Sequence, residues 1–223
     1  MSREGNMNII NADFKAIIFD LDGTLMDSEP LHAIVISNML AKWGITLPPE
    51  EIEKKYFGQS DKVVMKELIE TNPSITLTVN EMTTMKNNLL LESIQNSPPE
   101  EINKILHKGI REFLTALRKS GKRLAVVSAS ENEIVHALLK KTGLSHYFER
   151  IFTMADTIIS KPNPAPYLNA LRPRRWFLRI LYQALPLQRP QDFPSYVLTK
   201  KLTISAIRIS DVGYFHHREM YGT

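Results

Sequence analysis

The 223-residue chain contains no cysteine. Disulfides and thiolate metal sites are therefore excluded, and any metal must be held by nitrogen or oxygen donors. No apolar run approaches the roughly 20 residues needed to cross a bilayer. The first fourteen residues are polar and lack the apolar core of a secretory signal, so the chain is expected to be soluble and cytoplasmic. Tryptophan is scarce, with two residues, and there are no internal repeats or low-complexity segments. A general excess of basic residues along the main body is also missing. The formal charge is +4, but residues 172–223 hold nine of the 28 Lys and Arg and only three of the 24 Asp and Glu. The body is thus slightly acidic, which argues against nucleic acid as a partner. With 43% hydrophobic and 23% charged residues, the rest is ordinary for a globular protein.

Lys15 to Phe19 is a short Ile-rich run that ends at Asp20-Leu21-Asp22-Gly23. It reads as a buried strand closed by a turn. For about eighty residues thereafter the pattern is helical. Helices are predicted from Glu29 to Trp43, Pro48 to Tyr56, Ser60 to Leu68 and Thr78 to about Ile94, with a break at Ser97-Pro98-Pro99. Met65, Met82 and Met85 are expected to pack the core of this helical block. From Gly109 the chain alternates. A helix runs from Ile110 to Ser120, a strand from Arg123 to Val127, a helix opens at a Ser130–Glu133 capping box, and a strand runs from Arg150 to Met154. Such alternation implies a parallel sheet.

Beyond about Leu171 the alternation stops, and four prolines fall between Pro173 and Pro194. Arg outnumbers Lys seven to two after residue 171, against five to fourteen before it. An altered reading frame near Ala170–Arg172 and a divergent tail both account for this shift.

Asp20 and Asp22 stand two residues apart at the carboxyl end of the first strand, where parallel sheets bind ligands. With Leu21 pointing away, both carboxylates can face one crevice. Their mutual repulsion invites a divalent cation, and an oxygen-only donor set favours Mg²⁺. Gly23 permits the sharp turn and Thr24 can tie the loop. One carboxylate can attack phosphorus while the other protonates the leaving alcohol and then activates water. The bland alternative is an Asp-Gly surface turn.

The run FDLDGTLMDS resembles the first motif of the haloacid dehalogenase-like superfamily. Leu124–Ser128 and the lysine of SKPNPAPYLNA are similar to its second and third motifs, so the likeness covers about residues 13–171. It implies an α/β, Rossmann-like three-layer parallel core at 1–25 and 105–171, with an inserted α-helical cap at 26–104. Residues 172–223 form an atypical tail, irregular or incomplete. It also implies Asp20 as nucleophile and Mg²⁺ ligand, and Asp22 as general acid/base with its backbone carbonyl on the metal. Ser128 would hold the phosphoryl group, and Lys161 would offset its charge. Asp22 points to phosphate esters, because the family's dehalogenases differ at that position.

The stretch Asp27–His32, with Glu29 and His32, is similar to the cap opening of sugar-phosphate phosphatases and β-phosphoglucomutase, as is Ser128-Ala129-Ser130. Phe57-Gly58-Gln59-Ser60 falls where the cap reaches substrate. Gly23, Thr24, Glu29, His32, Gln59, Ala129 and Ser130 are therefore the expected substrate-binding residues. The expected activity is Mg²⁺-dependent hydrolysis of a small phosphate monoester, of sugar phosphate or phosphoglycolate type, by a monomer without membrane or nucleic-acid partners. A phosphomutase and a catalytically defective relative are the alternatives. The family's fourth motif, a strand ending in acids that complete the Mg²⁺ shell, has no match at the usual spacing. Asp211 is the one displaced candidate.

Overall fold

The computed structural model describes residues 15–56, 58–156, 165–170 and 178–181. The first strand, β1 (Ala16–Phe19), is wholly buried. It lies inside a four-stranded parallel sheet with β2 (Arg123–Val127), β3 (Arg150–Phe152) and β4 (Leu178–Leu181), in the order β3-β2-β1-β4.

Side chains alternate across a strand, so each sheet residue commits to one face. Ile17, Phe19, Leu124 and Val126 pack on one side with α6 (Ile110–Lys119) and α7 (Asn132–Lys141). Ala16, Ile18, Ala125 and Val127 pack on the other with Tyr167 and Ala170 of α8 (Ala165–Ala170). Covered faces explain why β1 and β2 are continuous apolar runs. Phe19, the last residue of β1, is wedged edge-on between Phe113 and Phe148, at 6.3 and 6.0 Å between centroids. That aromatic cluster fixes the strand end from which Asp20 departs.

The helical block between β1 and α6 comprises α1 (Glu29–Leu40), α2 (Pro49–Tyr56), α3 (Asp61–Thr71), α4 (Val79–Asn96) and the short α5 (Pro99–Asn103). It has its own apolar core, built from Ala33, Ile36, Met39, Ile52, Val64, Leu68 and the expected methionines, Met65 and Met82 buried and Met85 against them. Helix α4 joins the two cores: Met82 lies in the cap cluster, while Leu90 and Ile94 lie in the sheet cluster. Its start is a full capping box between Thr78 and Glu81. The chain leaves the sheet and returns to it side by side. The Asp27 amide donates to the Ile105 carbonyl at 2.7 Å and the His107 amide to that of Leu25 at 3.3 Å.

Four expectations shift. The helix from Glu29 turns 3₁₀ at Ala41 and stops against Gly44, whose φ of +71° suits a residue without a β-carbon. Pro98-Pro99 opens α5 rather than only breaking the pattern, because proline fits a helix's first turn. The strand at Arg150 ends at Phe152. The tail contributes β4, aligned with β1 so that Phe19 faces Leu181. Four residues with an arginine, Arg179, among them carry no readable periodicity; pairing with β1 makes them a strand. No helix of the described residues is long and apolar enough to cross a membrane.

Candidate active site

Asp20 leaves β1 nearly buried, at 8% exposure, with Oδ1 accepting the Leu21 amide at 2.8 Å. Leu21 is fully buried in the sheet core, as the alternation requires. Gly23, at φ +72°, turns the chain so that its amide reaches the Met26 carbonyl at 2.7 Å. A side chain at that φ would be strained, so the turn needs glycine.

Three serine hydroxyls converge on the Asp22 carboxylate. Ser28 donates to Oδ1 at 2.5 Å, and Ser130 and Ser128 donate to Oδ2 at 3.0 and 3.3 Å. The Ser130 amide in turn donates to the Ser128 hydroxyl at 3.0 Å. The parallel pairing of β1 and β2 creates this meeting, because both strands end on the same side. The capping box expected at Ser130–Glu133 does not form. Glu131 is the N-cap of α7 and makes no side-chain cap bond, while the Ser130 hydroxyl is drawn to Asp22.

Glu29 and His32, on the first turn of α1, share the electrostatic field of Asp22. Burial raises the Glu29 carboxyl to about 7, helped by the negative charges of Asp22, Asp27 and Glu53 and opposed by Lys86. Burial lowers His32 to about 4, reinforced by Lys86 and opposed by Asp22 and Asp61. Lys86, fully buried on α4, is ion-paired to Asp61 at 2.8 Å. Its neighbour Asn87 donates to Glu131 at 2.8 Å.

The other expected residues are placed differently. Gln59 is exposed and donates back to the Lys55 carbonyl at 3.1 Å. Ala129 is exposed, and the buried Thr24 hydroxyl oxygen has no hydrogen-bond partner among the described residues. Lys161, Asp211 and Phe57 lie outside the described residues. Sequence reasoning missed Ser28, Lys86, Asp61, Asn87 and Glu131. A signal existed for Lys86: it interrupts the apolar stripe Met82, Leu90, Ile94 at four-residue steps.

Asp20 and Asp22 offer hard oxygen donors that fit Mg²⁺. Among the described residues no group of three or more His, Cys, Asp or Glu forms a fuller cage. The strand beside Asp20, β4, ends at Leu181, and the sequence from Tyr182 to Gln191 carries no acid. The described residues therefore account for only the first-motif share of a Mg²⁺ shell.

The chain thus has a parallel α/β core, a helical layer between β1 and α6, and paired aspartates just beyond β1. The sequence model of the haloacid dehalogenase-like hydrolases matches residues 17–176, and the chain belongs to that family. Within it the chain falls in the phosphatase branch. It is 29% identical over 163 residues to a phosphoglycolate phosphatase of Haemophilus influenzae (strain 86-028NP), covering 70% of each chain. A crystal structure of a predicted phosphoglycolate phosphatase from Haemophilus somnus superposes with a TM-score of 0.60 at 25% identity, covering 72% of each chain. The fold is also that of β-phosphoglucomutase from Clostridium difficile, with a TM-score of 0.55 at 23% identity over 71% of this chain and 70% of that one.

Proposed function

We propose that the chain is a Mg²⁺-dependent phosphatase that hydrolyses a small phosphate monoester through an aspartyl phosphate. The observation that carries this is the pair Asp20 and Asp22 at the end of a buried strand, with the hydroxyls of Ser128 and Ser130 brought to Asp22 from the next strand.

In this reading the Asp20 carboxylate attacks phosphorus, a P–O bond to Asp20 forms and the ester P–O bond breaks. Asp22 delivers a proton to the departing alkoxide. Asp22 then takes a proton from water, the water oxygen attacks the aspartyl phosphate, and inorganic phosphate leaves. Ser128 would orient the phosphoryl oxygens, and Lys161 would balance their charge. Asp20 and the Asp22 carbonyl would hold Mg²⁺, which when bound neutralises charge on the transferring group. The core (1–25 and 105–171), the cap (26–104), action as a cytoplasmic monomer and a small phosphorylated metabolite as substrate belong to the same proposal.

A second reading, a catalytically defective relative, is favoured by the acid-free sequence that follows β4. Phosphate release from an aryl phosphate, with and without Mg²⁺, separates the two when the chain is compared with Asp20→Asn. The expected result is release that needs both Mg²⁺ and Asp20, falling on the order of 10⁴-fold or more in the variant. A folded chain that releases no more phosphate than Asp20→Asn would sink the phosphatase and leave the defective relative.

A further inference from the structure

The cap side of the site holds one cation among those whose charge Glu29 and His32 feel, and that cation is already neutralised. Lys86 has no exposed surface, and its Nζ lies 2.8 Å from Asp61 Oδ2 at the first residue of α3. A desolvated ammonium with a carboxylate at that distance presents little net charge to a second anion. Apart from Lys86, every charge that Glu29 feels comes from a carboxylate: Asp22, Asp27 and Glu53. Glu29 lies in the field of Asp22. Glu131 directly follows Ser130, whose hydroxyl is bonded to Asp22.

The neighbouring amide completes the pattern. Asn87 Nδ2 donates to Glu131 at 2.8 Å, which fixes the amide's orientation. Its Oδ1 is then an acceptor, buried and without a hydrogen-bond partner among the described residues. A buried acceptor is satisfied by a hydroxyl or an ammonium and repelled by a carboxylate or phosphate. Lys161, outside the described residues, is expected at the reacting phosphate and would not serve a second anion.

We infer that this site, read as a phosphatase site, selects phosphate esters whose remaining body donates hydrogen bonds and carries no negative charge. Esters bearing a carboxylate or a second phosphate are disfavoured. Specificity of this kind comes from like-charge rejection as well as from attraction. The assignment sets the chain apart from the phosphoglycolate phosphatases it resembles, whose named substrate carries a carboxylate.

The test compares three near-isosteric phosphonates that cannot turn over: 2-hydroxyethylphosphonate, 2-aminoethylphosphonate and 3-phosphonopropionate. Their binding to the full chain is measured by calorimetry with Mg²⁺ present. The carboxylate compound is expected to bind at least about tenfold more weakly than the other two. Asp61→Asn, which unmasks Lys86, and Glu131→Gln should each narrow that gap; if one variant fails to fold, the other still reports. Equal or tighter binding of 3-phosphonopropionate, or no binding by any of the three, overturns the inference. Aryl phosphate turnover is scored separately. Absent turnover with the expected binding order removes the phosphatase and keeps the selectivity, whereas turnover with the reverse order does the opposite.

Discussion

On the sheet side of the site, the groups that meet Asp22 are three neutral hydroxyls from two stretches of chain: Ser28, just before α1, and Ser128 and Ser130, just past β2. On the cap side the groups are ionisable: Glu29, His32, Lys86 and Asp61. Hydroxyls orient a carboxylate without cancelling its charge, so the sheet side stays electronegative and suited to a cation. The cap side pairs its charges off, so its influence falls on which substrate body can approach. In the proposed function, chemistry falls on the strand ends, and selection on a layer with its own core, reached through the side-by-side connections at Leu25–Asp27 and Ile105–His107.

The largest expected effect tests whether the hydroxyl-bound carboxylate is the acid. Asp22→Asn keeps an oxygen to accept from the serines but has no proton to deliver to the leaving alkoxide. Hydrolysis of an alkyl phosphate should fall about 10²–10⁴-fold. An aryl phosphate, whose leaving group needs little protonation, should lose less. Equal losses for the two esters would remove Asp22 from the acid role and leave it a structural anchor for the serines.

The cap-side ion pair gives the next effect, read as stability. Asp61→Ala leaves a buried, uncompensated ammonium and should cost about 3 kcal/mol, the low end for such pairs because Asp61 is partly exposed. Lys86→Met removes the charge and keeps an apolar chain of similar length in a core position, and should change stability by no more than about 1 kcal/mol. Urea denaturation of both variants, and of the double variant that restores neutrality, checks this asymmetry. Similar costs for the two single changes would mean that Lys86 is not desolvated and that the cap-side charges are ordinary surface charges.

What the sequence disclosed follows the same division. β1, the Asp-x-Asp-Gly turn and the end of β2 are local patterns, and each residue there serves both the strand and the site. Ser130 marks where local reading fails: its capping signature is sound, but a carboxylate on another strand captures the hydroxyl, and only parallel pairing brings the two together. Lys86 was legible as an anomaly, a lysine in an apolar stripe, yet its partner 25 residues away was not. Asn87 and Glu131, 44 residues apart, carried no signal at all. β4 was hidden because a four-residue strand takes its identity from the neighbour it pairs with. Fold class follows from patterns of two and 3.6 residues; a charge pair between helices does not.

The smallest effect in the native chain is a cancellation that two substitutions would expose. Glu29 holds its proton to about pH 7 when folded, against an ordinary 4.5. Between those values the folded state binds more protons than the unfolded one, so this group's contribution is complete below pH 4.5 and is lost as pH rises to 7. His32 has the opposite sign. Its folded value of about 4 lies below the ordinary 6.5, so its contribution is present above pH 6.5 and is lost as pH falls towards 4. From pH 4.5 to 6.5 the two slopes oppose, and the chain's stability from these groups should be nearly flat. Glu29→Gln should unmask His32, giving stability that climbs with pH up to about 6.5. His32→Asn should unmask Glu29, giving stability that declines up to about pH 7. Urea midpoints across this range decide it. Slopes of the same sign in both variants would mean that the first turn of α1 does not share one electrostatic field with Asp22 and Lys86, and the contrast between the two sides of the site would lose its cap half.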